Sequence, residues 1–314
     1  MKTFYKKILI FSIFPIIFAL CILGYNVFVD PFGVFRGDIS TQVNEPNQHY
    51  LKVKYIVNNP NKYNAFLFGS SRVAKIDVSK IKGTDKWYNM TYSEGLPAEH
   101  LDNLELFIKK NVNIKKIVVG LDEISAFTKR KNHDYESIRK PYVNKYDPLL
   151  SYLFLKPSYN LFEEIVNMKE RQFYEEGMYA TIYKTGSFFP NKKDAYIDNN
   201  KEVHRNDPVF KKPYWPSVRT DNRKKCLDDL KKIKEICENN NIEVRFFINP
   251  IFKTTYEKAV SKGFLEFLEE LSLITDFYNF NKHTEITSNP INYYEAGHYR
   301  PLVGDFMVEQ FFNK

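Results

Sequence analysis

One stretch of this chain has the residue types of a reactive site: a short apolar run followed by two hydroxyls and a cation. The run over 65–68 favours a buried strand, Gly69 ends it, and Ser70, Ser71 and Arg72 follow at once. In open α/β sheets, functional residues gather beyond the carboxyl ends of strands, where helix N-termini favour negative charge. Ser71 is therefore the candidate nucleophile. The alternative is an ordinary turn, in which glycine and serine are common.

A histidine near the C-terminus is the candidate partner of this serine. His298 follows Glu295 by three residues and precedes a predicted last helix. A serine nucleophile needs a general base within hydrogen-bond reach, and that base needs an acceptor that fixes its tautomer. Alone, His298 is typical of a loop histidine with satisfied hydrogen bonds. Together with Ser71, however, Glu295 and His298 predict a Ser-His-Glu triad.

Composition and motifs argue against several function classes. The 314 residues include 46 basic and 38 acidic ones, and the net charge of +8 is scattered over the sequence. Nucleic-acid binders usually show a dense basic stripe instead. The three cysteines and six histidines do not fall at metal-ligand spacing, and no glycine-rich phosphate loop occurs. We therefore expect no nucleic-acid partner, no metal and no cofactor.

The N-terminal segment is apolar enough to anchor the chain in a membrane. Three lysines precede an apolar run over 8–25, which at its longest reaches residue 29. This is close to the roughly 20 residues that a spanning helix needs. The lysines should remain cytoplasmic and place the main domain outside. A cleaved signal peptide is the alternative, but no Ala-x-Ala site follows. We expect an uncleaved single-pass anchor in the cell membrane over 1–29.

Strand and helix signals alternate through the rest of the chain. This alternation implies right-handed crossovers and a mostly parallel, three-layer α/β sheet. Predicted strands cover 65–69, 87–91, 114–120, 243–249 and 276–280, and predicted helices cover 97–110, 220–238, 254–273 and 301–312.

Two further regions flank or interrupt this α/β domain, which we place at 64–314. Residues 30–63 form a juxtamembrane approach segment with a short helix between 42 and 61. Residues 128–218 are rich in Tyr, Lys, Asn and Pro, with one helix around 157–173, and this composition indicates an inserted cap. Aromatic cap residues of the kind that could exclude water include Tyr142, Tyr146 and Trp215.

These motifs resemble those of the SGNH, or GDSL-like, hydrolase superfamily. More narrowly, the chain is similar to membrane-anchored SGNH-like proteins of bacterial cell envelopes. Residues 68–72 match the nucleophile block and 295–298 match the base block, while Asn89 and 120–123 fall where the two oxyanion blocks should lie. The resemblance covers about 64–314. It implies a flavodoxin-like sheet of order 2-1-3-4-5 and an esterase or O-acyltransferase that forms an acyl-serine.

Two of the blocks depart from the family's pattern in their acidic residues. The base block usually carries Asp, and here it carries Glu295. The third block usually presents Asn to the oxyanion, and here Asp122 stands at that position. An ionised carboxylate would repel an oxyanion. We therefore expect Asp122 to pair with Arg72, which lies at the adjacent strand tip.

The second block departs in its backbone donor. This block usually has a glycine donor, whereas here the sequence offers Thr91 or Gly95 as the source of an N–H. The sequence does not decide between them. Asn89 is expected to brace the loop rather than to touch substrate, and Gly69 is expected to support the nucleophile turn.

The first reading is a membrane-anchored esterase or O-acyltransferase that acts on acyl groups of cell-envelope glycans. Ser71 would attack the acyl donor, and His298, oriented by Glu295, would carry the proton. The implied partners are the membrane, an envelope polysaccharide or other acylated substrate, and a membrane acyl-donor protein.

Two other readings stay open at this point. The first is a catalytically inactive SGNH-like module that binds envelope glycan or a membrane partner, which the altered oxyanion block supports. The second is a structural envelope protein, which would leave Ser71, Glu295 and His298 apart in space.

Overall fold

The computed structural model describes residues 2–35, 45–133, 138–142, 149–155 and 181–314. Within them, five strands form one sheet in the order β2-β1-β3-β4-β5, and every pairing is parallel. The α/β class and the strand order 2-1-3-4-5 are thus confirmed. The strands are β1 Ala65–Gly69, β2 Trp87–Asn89, β3 Lys116–Leu121, β4 Glu243–Ile248 and β5 Phe277–Asn279.

Helices precede, connect and follow these strands. The last of them continues into a π-helical turn over Val308–Phe312. The helices of the described residues are Lys2–Val29, Gln48–Asn58, Pro97–Lys109, Glu123–Phe127, Leu149–Leu153, Asn191–Asn199, Lys201–Arg205, Arg223–Asn239, Lys253–Val260, Phe264–Ser272, Thr284–Thr287 and Pro301–Met307.

Two predicted helices differ from the observed ones. The approach helix begins at Gln48, because the Asn47 side chain accepts a hydrogen bond from the Tyr50 N–H and caps the first turn. The predicted helix over 254–273 is two helices, because Gly263 between them has φ +96°. Residues with a side chain rarely adopt that conformation.

Alternate side chains of the central strands contribute to two separate hydrophobic clusters. Phe66 and Phe68 belong to one cluster, which includes residues of the helices Pro97–Lys109 and Arg223–Asn239. Leu67 belongs to the other, which includes residues of the last helix. Burial of both sets of side chains explains why the sequence of β1 is continuously apolar rather than alternating.

The N-terminal helix contains a stretch, Ile10–Val29, that is long and apolar enough to cross a membrane. The C-terminal end of this helix is hydrogen-bonded to a segment distant in the sequence. The Asn26 Nδ2 donates to the carbonyls of Leu153 at 2.7 Å and Leu155 at 2.9 Å. The predicted cap helix around 157–173 and Tyr146 lie outside the described residues.

Candidate active site

The three residues of the predicted triad lie together at the carboxyl ends of the strands. Ser71 begins a short 3-10 helix directly after β1. Its Oγ lies 2.8 Å from His298 Nε2, although the two residues are 227 positions apart in the chain. The other ring nitrogen, His298 Nδ1, hydrogen-bonds Glu295 Oε1. Hydroxyl, imidazole and carboxylate thus stand in the order that general-base activation of a serine requires.

Glu295 takes the place of the usual aspartate without losing contact with the histidine. Burial acts to raise the pKa of Glu295, but its hydrogen bond with His298 and the nearby charges of His298 and Lys193 outweigh burial and leave the pKa below the ordinary value. The carboxylate is therefore ionised at neutral pH and available to orient the imidazole. The longer side chain is accommodated within the single loop that carries both residues.

The loop that carries His298 is fixed by contacts on several sides. The Tyr294 N–H donates to the carbonyl of His298 at 2.9 Å, and Tyr293 and Tyr299 form an antiparallel bridge. The Thr255 hydroxyl donates to the carbonyl of Ala296 at 2.8 Å. These contacts hold the imidazole in one position relative to Ser71, which is what preorganisation of a catalytic base requires.

A buried cluster of four charges lies behind the nucleophile turn. The Arg72 guanidinium makes a two-pronged contact with Glu123, of which the Nη2–Oε1 hydrogen bond is 2.6 Å. Arg72 Nη1 also lies 3.3 Å from Asp122 Oδ2, which confirms the predicted pairing, although Glu123 is the closer partner. Arg219 Nη1 binds the same Glu123 at 2.8 Å. Two cations thus balance two anions, all buried.

Arg72 also links the nucleophile turn, which carries Ser71, to the loop that carries His298. Its Nε donates to the carbonyl of Gly297, the residue before His298. Burial acts to raise the pKa of Glu123, but the charges of Arg72 and Arg219 hold it at about 2. Sequence reasoning did not single out Glu123 or Arg219. The only available signal was the position of Glu123 beside Asp122 at the tip of β3.

Asp122 is turned away from the cavity rather than toward an oxyanion. It accepts the Ser70 hydroxyl at 2.6 Å with one oxygen and caps the helix Glu123–Phe127 with the other, through the Ile124 N–H at 3.0 Å. Burial raises its pKa, against the opposing charge of Arg72. It is fully buried and is not among the cavity-lining residues. The repulsion between Asp122 and an oxyanion, which the sequence led us to expect, is therefore reduced.

Asn89 braces the loop after β2, as predicted. Its Nδ2 donates to the carbonyl of Val73 at 2.7 Å, and its Oδ1 accepts the Thr91 N–H at 3.1 Å. The Thr91 hydroxyl in turn donates to the carbonyl of Ser70. Asn89 and Thr91 therefore hold the loop against the nucleophile turn.

Neither backbone donor predicted from the sequence is free. The Thr91 N–H is bound to Asn89, and the Gly95 N–H donates to the Tyr92 carbonyl at 3.3 Å. Gly95 instead allows close packing, because a Cβ there would lie 2.4 Å from the carbonyl oxygen of Gly69. The two expectations for Thr91 and Gly95 as oxyanion donors are therefore corrected.

Other backbone N–H groups remain available at the cavity. In the part of the chain that the structure describes, the N–H groups of Ser71, Ser93 and Glu94 have no acceptor, and all three residues line the cavity. Backbone donors without an acceptor are the kind of group that stabilises an oxyanion. Gly69 supports the turn, because a Cβ there would lie 2.9 Å from the carbonyl oxygen of Gly120.

A buried lysine holds the same loop from the side of the approach helix. Lys52 Nζ donates to the carbonyls of Thr91 at 2.7 Å, Gly186 at 2.7 Å and Asn89 at 3.2 Å. Burial lowers its pKa well below the ordinary value. Sequence reasoning missed Lys52, because a lysine within a short amphipathic helix is normally exposed.

The triad opens into a cavity of about 380 Å³, a size typical of small-molecule sites. Tyr214 lines it, with its ring 5.6 Å from the His298 ring in an edge-to-face arrangement. Of the aromatic residues expected there, Trp215 and Tyr142 do not line the cavity, because Trp215 packs on Phe127 and Tyr142 packs on Tyr50. Other lining residues are Glu45, Gln48, Ala74, Lys75, Thr91, Tyr92, Ile124, Arg139, Phe188, Pro190, Lys193 and Tyr294.

Comparison with models of known protein families and with curated proteins gives no match to this sequence. Among the described residues, no group of three or more His, Cys, Asp or Glu side chains is placed to hold a metal ion.

Proposed function

We propose that this chain is a membrane-anchored SGNH-like serine esterase or O-acyltransferase that acts on acyl groups of cell-envelope glycans. The observation that carries the proposal is the 2.8 Å contact between Ser71 Oγ and His298 Nε2, with Glu295 on the other ring nitrogen. A polar turn of ordinary structure has no need for this alignment. A serine that attacks an acyl ester does need it.

The reaction proceeds in two balanced steps. The Ser71 oxygen attacks the carbonyl carbon of the acyl ester, and its proton passes to His298 Nε2. The ester C–O bond then breaks, His298 gives the proton to the departing alkoxide, and the acyl group remains on Ser71. In the second step the oxygen of water or of a glycan hydroxyl attacks the carbonyl carbon of this acyl-serine, and its proton passes to His298 Nε2. The bond between the acyl group and Ser71 Oγ then breaks, and His298 returns the proton to the Ser71 oxygen. Hydrolysis and transfer differ only in that second hydroxyl.

The strand order and the position of the site support the SGNH-like part of the proposal. The nucleophile follows β1, which lies between β2 and β3, and β3 supplies the next site loop. The two hydrophobic clusters agree with the three-layer arrangement of such folds. In this proposal the region about 128–218 is the cap, which contributes Tyr214 and Phe188 to the cavity.

The apolar helix supports a location at the membrane. The proposal places the N-terminus in the cytoplasm and the catalytic domain outside, beside an envelope polysaccharide and a membrane acyl-donor protein. Leu150 and Phe154 are exposed next to the point where Asn26 meets Leu153 and Leu155. Exposed apolar side chains at the end of a spanning helix fit a domain that rests on the bilayer surface.

The inactive-module alternative loses its main support. Its argument was that Asp122 replaces an oxyanion donor, but the Asp122 carboxylate is bound by Ser70 and Arg72 and does not line the cavity. The N–H groups of Ser71, Ser93 and Glu94, which have no acceptor among the described residues, offer backbone donors at the cavity.

A histidine substitution tests the proposal. His298→Ala should lower hydrolysis of p-nitrophenyl acetate by the full-length chain in detergent micelles by about 10²–10⁴-fold, because the general base is removed. His283→Ala is the matched control, since His283 contacts Tyr278 and Glu285 and is not part of the cavity. Equal rates for wild type and His298→Ala would overturn the proposal.

A further inference from the structure

Lys75 stands out in the cavity wall because it is a buried cation one turn after Ser71. The residue is 6% exposed, and its Nζ donates to the carbonyl of Phe188 at 3.1 Å. Among the described residues, no carboxylate lies at ion-pair distance from it. A lysine ammonium carries three donors, and buried charges are normally paired. In the described part of the chain, the Lys75 ammonium thus has one hydrogen-bond acceptor and the Phe188 ring, 4.3 Å from Nζ, as partners, and no anion.

A second ammonium group lies on the same wall. Lys193 Nζ is 4.7 Å from the centre of the Tyr294 ring, and Lys75 Nζ is 5.7 Å from it. Among the residues that the structure describes, Glu295 is the carboxylate nearest to Lys193, at 3.9 Å. The Tyr294 ring is held in place because its hydroxyl donates to Asp194. We call Lys75, Lys193 and Tyr294 the lysine wall.

The acidic groups around the lysine wall are already engaged. Glu295 binds His298, and Asp194 binds the Arg300 guanidinium at 2.7 Å. Elsewhere in the cavity, Glu94 lies 3.7 Å from Arg139. The cavity lining thus carries three carboxylates, those of Glu45, Glu94 and Glu295, and three cations, of which two lie together at the lysine wall beside the triad.

We propose that the lysine wall binds an oxyanion, a phosphate or carboxylate, on the sugar or polyol unit whose hydroxyl or ester faces Ser71. The inference rests on the proposed function and narrows its substrate to an anionic glycan. The two ammonium groups would hold the oxyanion, and the face of Tyr294 would pack against the carbon skeleton. Phosphate and carboxylate meet the same requirement, namely several acceptor oxygens near two cations.

The protonation of Lys75 gives this subsite a pH dependence. The pKa of Lys75 is lowered to about 7, chiefly by burial and in smaller part by the charge of Lys193, while the charges of Asp194 and Glu295 act in the opposite direction. The amine is charged below that pKa and neutral above it. An anion held by Lys75 should therefore bind more weakly as the pH rises from 6 to 9.

Calorimetric binding to the full-length Ser71→Ala variant in detergent micelles tests the inference without any turnover. The probes are glucuronate against glucose, and glycerol 1-phosphate against glycerol. At pH 6.5 at least one anionic probe should bind about tenfold or more tightly than its neutral counterpart, because charged hydrogen bonds are involved. The two pairs distinguish a carboxylate from a phosphate. Glucuronate affinity should also fall toward pH 9.

Lysine variants in the same background assign the effect to the wall. Lys75→Met should remove most of the preference, and Lys193→Met should weaken it, whereas Lys80→Met should preserve it, since Lys80 is exposed and pairs with Asp305. If Lys75→Met does not fold, the change in preference caused by Lys193→Met alone tests the assignment, because Lys193 is exposed.

The inference is overturned if charged and neutral probes bind equally, if neither binds, or if the preference survives in the double variant Lys75→Met, Lys193→Met. A failure here would leave the loss of turnover in His298→Ala untouched, and a failure of that turnover test would leave this binding result standing. The two results therefore separate the subsite from the reaction.

Discussion

Ser71→Ala is expected to lower acyl-ester turnover by the full-length protein by about 10⁴-fold or more, because the proposed reaction forms its acyl intermediate on the Ser71 oxygen. The Ser71 hydroxyl is 2.8 Å from His298 Nε2, the proposed base. Binding of the ester and the backbone donors remain, so a small residual rate over water should survive. The measurement is p-nitrophenyl acetate hydrolysis in detergent micelles.

The double variant Ser71→Ala, His298→Ala tests whether the two residues act together. Residues that act as one unit give non-additive losses, so the double variant should be no slower than Ser71→Ala alone. Ser272→Ala is the matched control, because its hydroxyl only donates to the carbonyl of Glu269 within a surface helix. Losses that multiply in the double variant would show that Ser71 and His298 act independently.

Arg72→Met is expected to lower the free energy of unfolding by about 3–5 kcal/mol, because it leaves a buried anion without its partner. Glu123 would keep Arg219, but Asp122 would lose its nearest cation. The carbonyl of Gly297 would lose its donor as well. Chemical denaturation of the full-length chain measures the effect. Arg223→Met, which removes a partly exposed arginine paired with Asp221, is the matched control.

A second substitution distinguishes charge imbalance from simple loss of packing. Removing Glu123 together with Arg72 leaves one buried cation, Arg219, and one buried anion, Asp122. The double variant Arg72→Met, Glu123→Gln should therefore be more stable than Arg72→Met alone. If the double variant is the less stable of the two, the cluster does not act through charge balance.

The features that could be predicted from the sequence are those with a local pattern. The strand β1 could be predicted because an apolar run ends at a glycine, and the parallel sheet because strands and helices alternate. Ser71 and His298 could be paired because Ser71 follows a predicted strand and His298 precedes the predicted last helix. The distance between them could not be predicted, because it depends on packing between segments 227 positions apart.

The features that could not be predicted depend on partners distant in the chain. Glu123 meets Arg72 across 51 positions and Arg219 across 96, and no local pattern links them. The N–H of Thr91 has the right place in the sequence to serve as an oxyanion donor, but the Asn89 side chain occupies it. Hydrogen-bond competition of this kind is visible only once the side chains are placed.

Labelling with a serine-directed fluorophosphonate, followed by peptide mapping, is the decisive test of whether His298 activates Ser71. The probe reacts with a serine only where a base has activated the hydroxyl, so it reports on the contact between Ser71 and His298 without knowledge of the substrate. We expect an adduct on Ser71 of the folded wild-type chain and none on His298→Ala. An unlabelled Ser71 in the folded wild type, or equal labelling in both proteins, would contradict it.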